Sequence, residues 1–299
     1  MAVTVYRSTD AGAPALYTDS AGSLITILDA CLVNGYGSQP AAGWTKAFTG
    51  TNKAAYRMST TAPASGFYLR IDDTSTSESR WIGYESMTDV DTGVDPFPLD
   101  AQVTGGMYTL KIAASSEWVL IADDRAFYFF HHNPSLSLNA AGHFFGDIVS
   151  NVAADTFSCA IAGRYNGTFS GAFEALANLT TSISSTSGHY ISRNYDGTVK
   201  SVNSAPIGKL HGSYLGSSGF DYPNLADNNL VMDRVILADS SSIKNYRGYY
   251  PGLWNPLHQN PGNHNDTFSG TGALAGKTFL ILDTYQGRSI IETSDTWRS

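Results

Sequence analysis

The stretch Trp118–His132, WVLIADDRAFYFFHH, sets two apolar runs on either side of Asp123-Asp124-Arg125. In an extended chain successive side chains point to opposite faces. Trp118, Leu120 and Ala122 then share one face and Val119 and Ile121 the other, while Phe127 and Phe129 alternate with Tyr128 and Phe130. Both faces of both arms are apolar or aromatic, which is the mark of strands covered on two sides. The segment predicts a β-hairpin with a tight turn. Burying one Phe or Leu contributes roughly 1.5–3 kcal/mol, so this hairpin is the expected nucleus of the core.

Short β-rich runs continue on both sides of it. Val3–Arg7, Trp44–Phe48, Ala54–Met58, Phe67–Asp72 and Arg80–Met87 precede it, and His143–Ser150, Thr156–Arg164 and Leu230–Leu237 follow. Gly188–Asn194 and Thr198–Val202 flank an Asp196-Gly197 turn, a second hairpin signal. Lys277–Leu282 and Ser289–Glu292 form a last one around Tyr285-Gln286-Gly287. One helix is predicted: Leu24, Ile27, Leu28, Cys31 and Leu32 make an apolar stripe, with Ser20 or Ser23 as cap and Asn34-Gly35 as the stop. Asn166–Gly188 reads as a long loop or a short helix around Phe173–Leu179, and Ser204–Asn229 as an exposed, variable region. The expected fold is mainly β, with antiparallel sheets in a sandwich-like arrangement and one amphipathic N-terminal helix. A single domain over residues 1–299 is expected, with a sub-boundary near 99–106.

Composition narrows the function. Charged residues make up only 15% of the 299, against a usual quarter. A surface so poor in charge is covered by neutral polar groups or by other protein, and the second option points to assembly. The net charge of −8 and scattered basic residues argue against nucleic acid. Cys31 and Cys159 are expected as buried free thiols, and no Cys-x-x-Cys exists for zinc or redox chemistry. MAVTVYRSTDAG lacks a basic segment followed by an apolar one, so no signal peptide is predicted. No apolar run approaches about eighteen residues, so no membrane insertion is expected. The protein is expected to be soluble and made in a cytoplasm.

The candidate sites divide into weak chemistry and one binding patch. GTGALAGKT, Gly270–Thr278, has Thr271 where a phosphate loop needs Gly, and a strand pattern follows it. Asp89, Asp91 and Asp95 lie in a polar turn, Met87–Pro98, without calcium-loop spacing. His258 and His264 sit in a Pro/Gly/Asn stretch and are expected to be satisfied by loop carbonyls rather than by zinc. His131 and His132 are adjacent in a strand and should face opposite ways. The pairs Asp72-Asp73 and Asp123-Asp124 follow strands and are expected to point into solvent. Carboxylates from separate hairpins meeting in space stay an open alternative. No metal, cofactor or catalytic residue is predicted. The binding patch is YRGYYPGLW, Tyr246–Trp254, with Tyr246, Arg247, Tyr249, Tyr250 and Trp254 as candidate interface residues. Core packing, protein contact and carbohydrate contact all fit that composition.

Several pieces in order, ILDACLVNGYG, AAGWTKAFTGTNKAAYR, FYLRIDD, GYESMTDVDTG, PFP, WVLIADDRAFYFF, GHY, PGLW, PLH, DTFSGTGALAGKTFL and ETSDTW, resemble a family of tailed-bacteriophage virion structural proteins. The resemblance spans nearly the whole chain and is weakest between about Asn166 and Leu230. It implies a virion component, not an enzyme, that partners copies of itself and neighbouring virion proteins in the tail, neck or baseplate. A glycan-binding fibre module or a glycan depolymerase is the alternative, with host surface glycan as partner.

Overall fold

The computed structural model describes residues 2–16, 19–111, 117–132, 140–164, 179, 187–207, 226, 230–239, 245–258, 262–284 and 287–298. Among them the chain is mainly β. Strand β1 (Thr4–Arg7) precedes helix α1 (Ser23–Leu28), which continues as a π-helical turn over Asp29–Asn34. Then come β2 (Thr45–Gly50), β3 (Lys53–Arg57), β4 (Tyr68–Asp72), β5 (Glu78–Asp89), β6 (Thr92–Phe97) and β7 (Met107–Leu110). The central strands are β8 (Glu117–Ala122), β9 (Ala126–His132), β10 (Ala140–Asp147), β11 (Val149–Ser150) and β12 (Cys159–Arg164). The chain closes with β13 (Ser187–Arg193), β14 (Lys200–Ile207), β15 (Met232–Asp239), β16 (Asn245–Pro256), β17 (Thr267–Ser269), β18 (Thr278–Thr284) and β19 (Gly287–Glu292).

All pairings are antiparallel and join into one large sheet. Its middle runs β1–β8–β9–β10–β12. From β12 one arm continues through β7 and β5 to β4, β3 and β2. The other arm passes through β13, β14, β15, β16 and β19 to β18 and β17. Each arm packs against a different face of the middle. Trp118, Leu120, Phe127, Phe129 and Phe145 meet the helix and the β3–β7 arm. Val119, Ile121, Tyr128, Phe130 and Phe144 meet β15, β16, β18 and β19. The two-sided pattern of the hairpin is therefore answered by two apolar layers. Its turn is fixed locally, because the Asp123 carboxylate accepts the backbone N–H groups of Arg125 and Ala126 at 2.8 and 2.7 Å.

The helix follows its predicted stripe: Leu24, Ile27, Leu28, Cys31 and Leu32 are all fully buried. Its cap differs from expectation. Neither Ser20 nor Ser23 caps it; Gly22 holds that position and the Asp73 carboxylate accepts from Leu24 and Ile25 N–H. A charge-assisted acceptor from the end of β4 outcompetes a local hydroxyl. The stop at Gly35 holds, since its φ is +75° and a Cβ there would lie 2.6 Å from the Gln39 carbonyl oxygen.

Both cysteines are buried free thiols. No helix among the described residues is long and apolar enough to cross a membrane. The second and third predicted hairpins form as β13–β14 and β18–β19, with turn residues 285–286 outside the described set. Phe173–Leu179 and most of Ser204–Asn229 also fall outside it, apart from strand residues 204–207 and the isolated positions 179 and 226.

Candidate functional site

The predicted patch, Tyr246–Trp254, is not a bent surface segment. It forms most of the twelve-residue β16, whose pairing with β15 slips twice and so turns its side chains unevenly. Tyr250 is fully buried, edge-on to Phe144 at 4.7 Å, with its hydroxyl 2.7 Å from His189 Nδ1. Burial pushes its phenol well up. Arg247 is also fully buried and paired with Asp155 at 2.6 Å, while its Nη2 donates to the Phe157 carbonyl. Trp254 is buried against Phe279. The interface assignment is corrected for these three: the hydrophobic demand of the layer beneath β16 and a carboxylate for Arg247 draw them inward. Tyr249 is half-buried under the Arg234 guanidinium, and Tyr246 alone of the five is exposed, at 48%.

The large exposed apolar side chains among the described residues are Val94, Leu99, Tyr195, Val199 and Tyr246. Ion pairs and hydrogen bonds link the segments that carry them. Asp95, next to Val94, pairs with Lys200, next to Val199. Leu99 N–H donates to Gln102, whose amide in turn donates to the Ser201 carbonyl. Tyr195 N–H donates to Asp239, the neighbour of the Ala238 that pairs with Tyr246. These linked segments form a track from β6 across the β13–β14 turn to the start of β16. Arg193 also joins Glu85 at 2.7 Å and Asp95 at 3.1 Å, which ties the two arms of the sheet together. Sequence reasoning missed four of these five residues. The signal available was Tyr195 and Val199 flanking the Asp196-Gly197 turn, apolar residues where a solvated turn calls for polar ones.

A second place gathers charge around the central hairpin turn. The acidic pairs do not point into solvent as expected. Asp73 is fully buried and bridges Lys111 Nζ at 2.7 Å. Asp123 and Asp124 are 4% and 7% exposed. Two arginines link this turn to β10: Arg125 pairs with the Asp147 carboxylate at 3.0 Å, and Arg298 joins the Asp123 carboxylate at 3.1 Å and donates to the Asp147 backbone carbonyl. Burial pushes the Asp124 carboxyl above its ordinary range, with the Ser59 side chain and the two arginines offsetting only part of the effect. Arg125, Arg298, Ala62 and Pro63 border two adjoining cavities of about 220 and 460 Å³. The larger is mostly aliphatic, with Ser150, Thr156 and Ser158 among its walls.

The remaining candidates resolve as structural groups. Asp89, Asp91 and Asp95 belong to the β5–β6 hairpin, which is longer than the expected polar turn. Asp91 pairs with Arg70 and Lys53 and Asp95 with Arg193 and Lys200, so basic side chains hold them. His258 and His264 accept backbone N–H groups from Val231 and Asp283. His131 is buried; the His132 side chain lies outside the described residues. Gly272–Leu274 is a short 3-10 turn followed by strand β18, where a phosphate loop would need a helix, and Lys277 pairs with Glu292. Among the described residues no group of three or more His, Cys, Asp or Glu is placed to hold a metal ion. Compared with known proteins, the chain matches no family model and no curated protein.

Proposed function

We propose that the chain is a structural component of a tailed-bacteriophage virion, made in the host cytoplasm and sited in the tail, neck or baseplate. It works by contact, without turnover, and its partners are copies of itself and neighbouring virion proteins. The sequence resemblance supports this reading, and one structural observation carries it. Five large apolar side chains stay exposed among the described residues, on segments from β6 to the start of β16 that are joined by ion pairs and hydrogen bonds. Exposed apolar surface gathered in one region marks protein contact sites, and ion pairs among these segments tie them to one another. Mass spectrometry of purified particles checks the proposal: the protein is expected at a fixed stoichiometry, and its absence from particles rejects it.

A second reading, a glycan-binding module, is favoured by the cavities beside Arg125 and Arg298. Their combined size fits a small ligand, and guanidinium and hydroxyl groups suit sugar hydroxyls. Glycan-array binding lost on Val152→Trp, which fills the larger cavity, would move the assignment to this reading.

A further inference from the structure

We propose that the stacked rings of His131 and His143 form an acid-released latch: neutral, they close the joint between β5–β7 and β9–β10, and a proton on His143 opens it. Both residues are 1% exposed. Their rings stack at 5.5 Å with planes 20° apart, and His143 stacks in turn on Trp81 of β5 at 5.3 Å. His143 also reaches β7, where its Nε2 lies 2.8 Å from the Tyr108 carbonyl and 3.3 Å from Thr109 Oγ1. With the carbonyl as acceptor, Nε2 carries the proton, which makes Nδ1 the basic nitrogen of the neutral ring. On β12, a Cβ at Gly163 would approach the His143 ring to 2.7 Å, so the β12 backbone packs directly on the ring's edge.

The surroundings treat the two rings unequally. Glu117 from β8, Asp283 from β18 and His264 line the same small cavity as His131, so acidic groups can counter a charge there. Around His143 the neighbouring charge is Arg164 from β12, which opposes a second cation, and only the carbonyls of Tyr108 and Phe129 favour the charged ring. Desolvation is the larger effect and lowers His143 from its ordinary 6.5 to about 4. In the opened joint the ring meets water and returns to its ordinary value. The open form therefore binds the proton more readily than the closed one between those limits. The open-to-closed ratio rises about tenfold per pH unit as pH falls from about 6.5 toward 4, and levels off below.

Hydrogen exchange resolved by peptide, corrected for the intrinsic pH dependence, tests this from pH 7 to 4. Protection of β5, β7 and β10 is expected to fall across that window while β18 and β19 hold theirs. His143→Gln, which keeps a donor but does not titrate there, is expected to flatten the dependence. Equal loss in β18 and β19, or an unchanged slope in the variant, overturns the latch. If His143→Gln fails to fold, the ring-proton resonance of His143 in the unaltered protein decides. Titration near 6.5 with β7 still protected overturns the proposal, and titration in step with the loss of protection sustains it.

Discussion

The central hairpin β8–β9 and the strand β16 carry similar aromatic loads, yet the faces their side chains take were legible in one and left open in the other. In the hairpin, strict alternation meets a regular register: each residue from Glu117 to Ala122 faces one from Phe127 to His132 without a slip. Which face a side chain takes can then be counted along the chain. In β16 the register with β15 shifts twice, and Gly248 and Gly252 take positive φ. Counting by twos fails across such breaks. Gly248 and Gly252 let the strand bend close to its neighbours. A Cβ at Gly248 would lie 2.2 Å from the Val149 carbonyl oxygen. Local composition identifies a run of aromatics; only the register decides which of them reach water.

The comparison breaks first at the hairpin if it is wrong. Phe129 is fully buried against Trp81 and His143. Phe129→Ala is expected to cost about 3–5 kcal/mol, read by urea unfolding or by loss of soluble protein. Unchanged unfolding would make the hairpin peripheral and remove its contrast with β16. A similar loss is expected from Lys111→Met, by a different cause. Lys111 Nζ serves Asp73 and the carbonyls of Ser20 and Ser75, all at the base of the helix. Removing it strands a buried carboxylate, at about 3–5 kcal/mol.

Within β16, Tyr250→Phe keeps the ring against Phe144 and removes the hydroxyl beside His189. The loss of one buried partner is expected to cost about 1–3 kcal/mol in thermal or urea unfolding. No loss would show that the hydroxyl beside His189 does not help to hold β16 inward. Asp124→Asn should act in the opposite direction. The folded state raises this carboxyl, so it binds the proton better than the unfolded chain does, and the ionised form is the one that weakens folding. The variant is therefore expected to melt higher at neutral pH, with its advantage shrinking as pH falls and the native aspartate takes up its proton. An advantage that grows at low pH reverses this reading.

Period-two patterning was enough for the β class, the three hairpins and the strands nearest them, because those features depend on neighbours in the chain; β6, taken as a polar turn, and β16, taken as a contact patch, were not read as strands. The helix stripe was legible for the same reason, and its cap was not: Asp73 lies 49 residues from Leu24. The charged turn shows the same limit. Asp123 and Asp124 look like solvent-facing turn residues until Arg298, 175 positions away, closes over Asp123. The exposed track needed contacts among β6, the β13–β14 turn and β15, none of which a window of sequence contains.

The smallest effect on stability separates the two regions most sharply. Tyr246 is the one member of the original patch that remains exposed, and the Tyr195 N–H donates to Asp239, next to the Ala238 that pairs with Tyr246. Tyr246→Ser and Tyr195→Ser are each expected to stay within about 0.5 kcal/mol of the unaltered protein, since surface side chains contribute little to folding. At an assembled contact the same side chains would be desolvated, where truncating a hot-spot aromatic costs at least about 2 kcal/mol. The double variant should therefore melt normally and yet be depleted from purified particles, measured by mass spectrometry against a constant virion protein. Normal melting with normal incorporation would clear this track of any role in assembly. Reduced melting would instead place both tyrosines in the fold, and the division between a β16 that faces inward and a track that faces outward would fall.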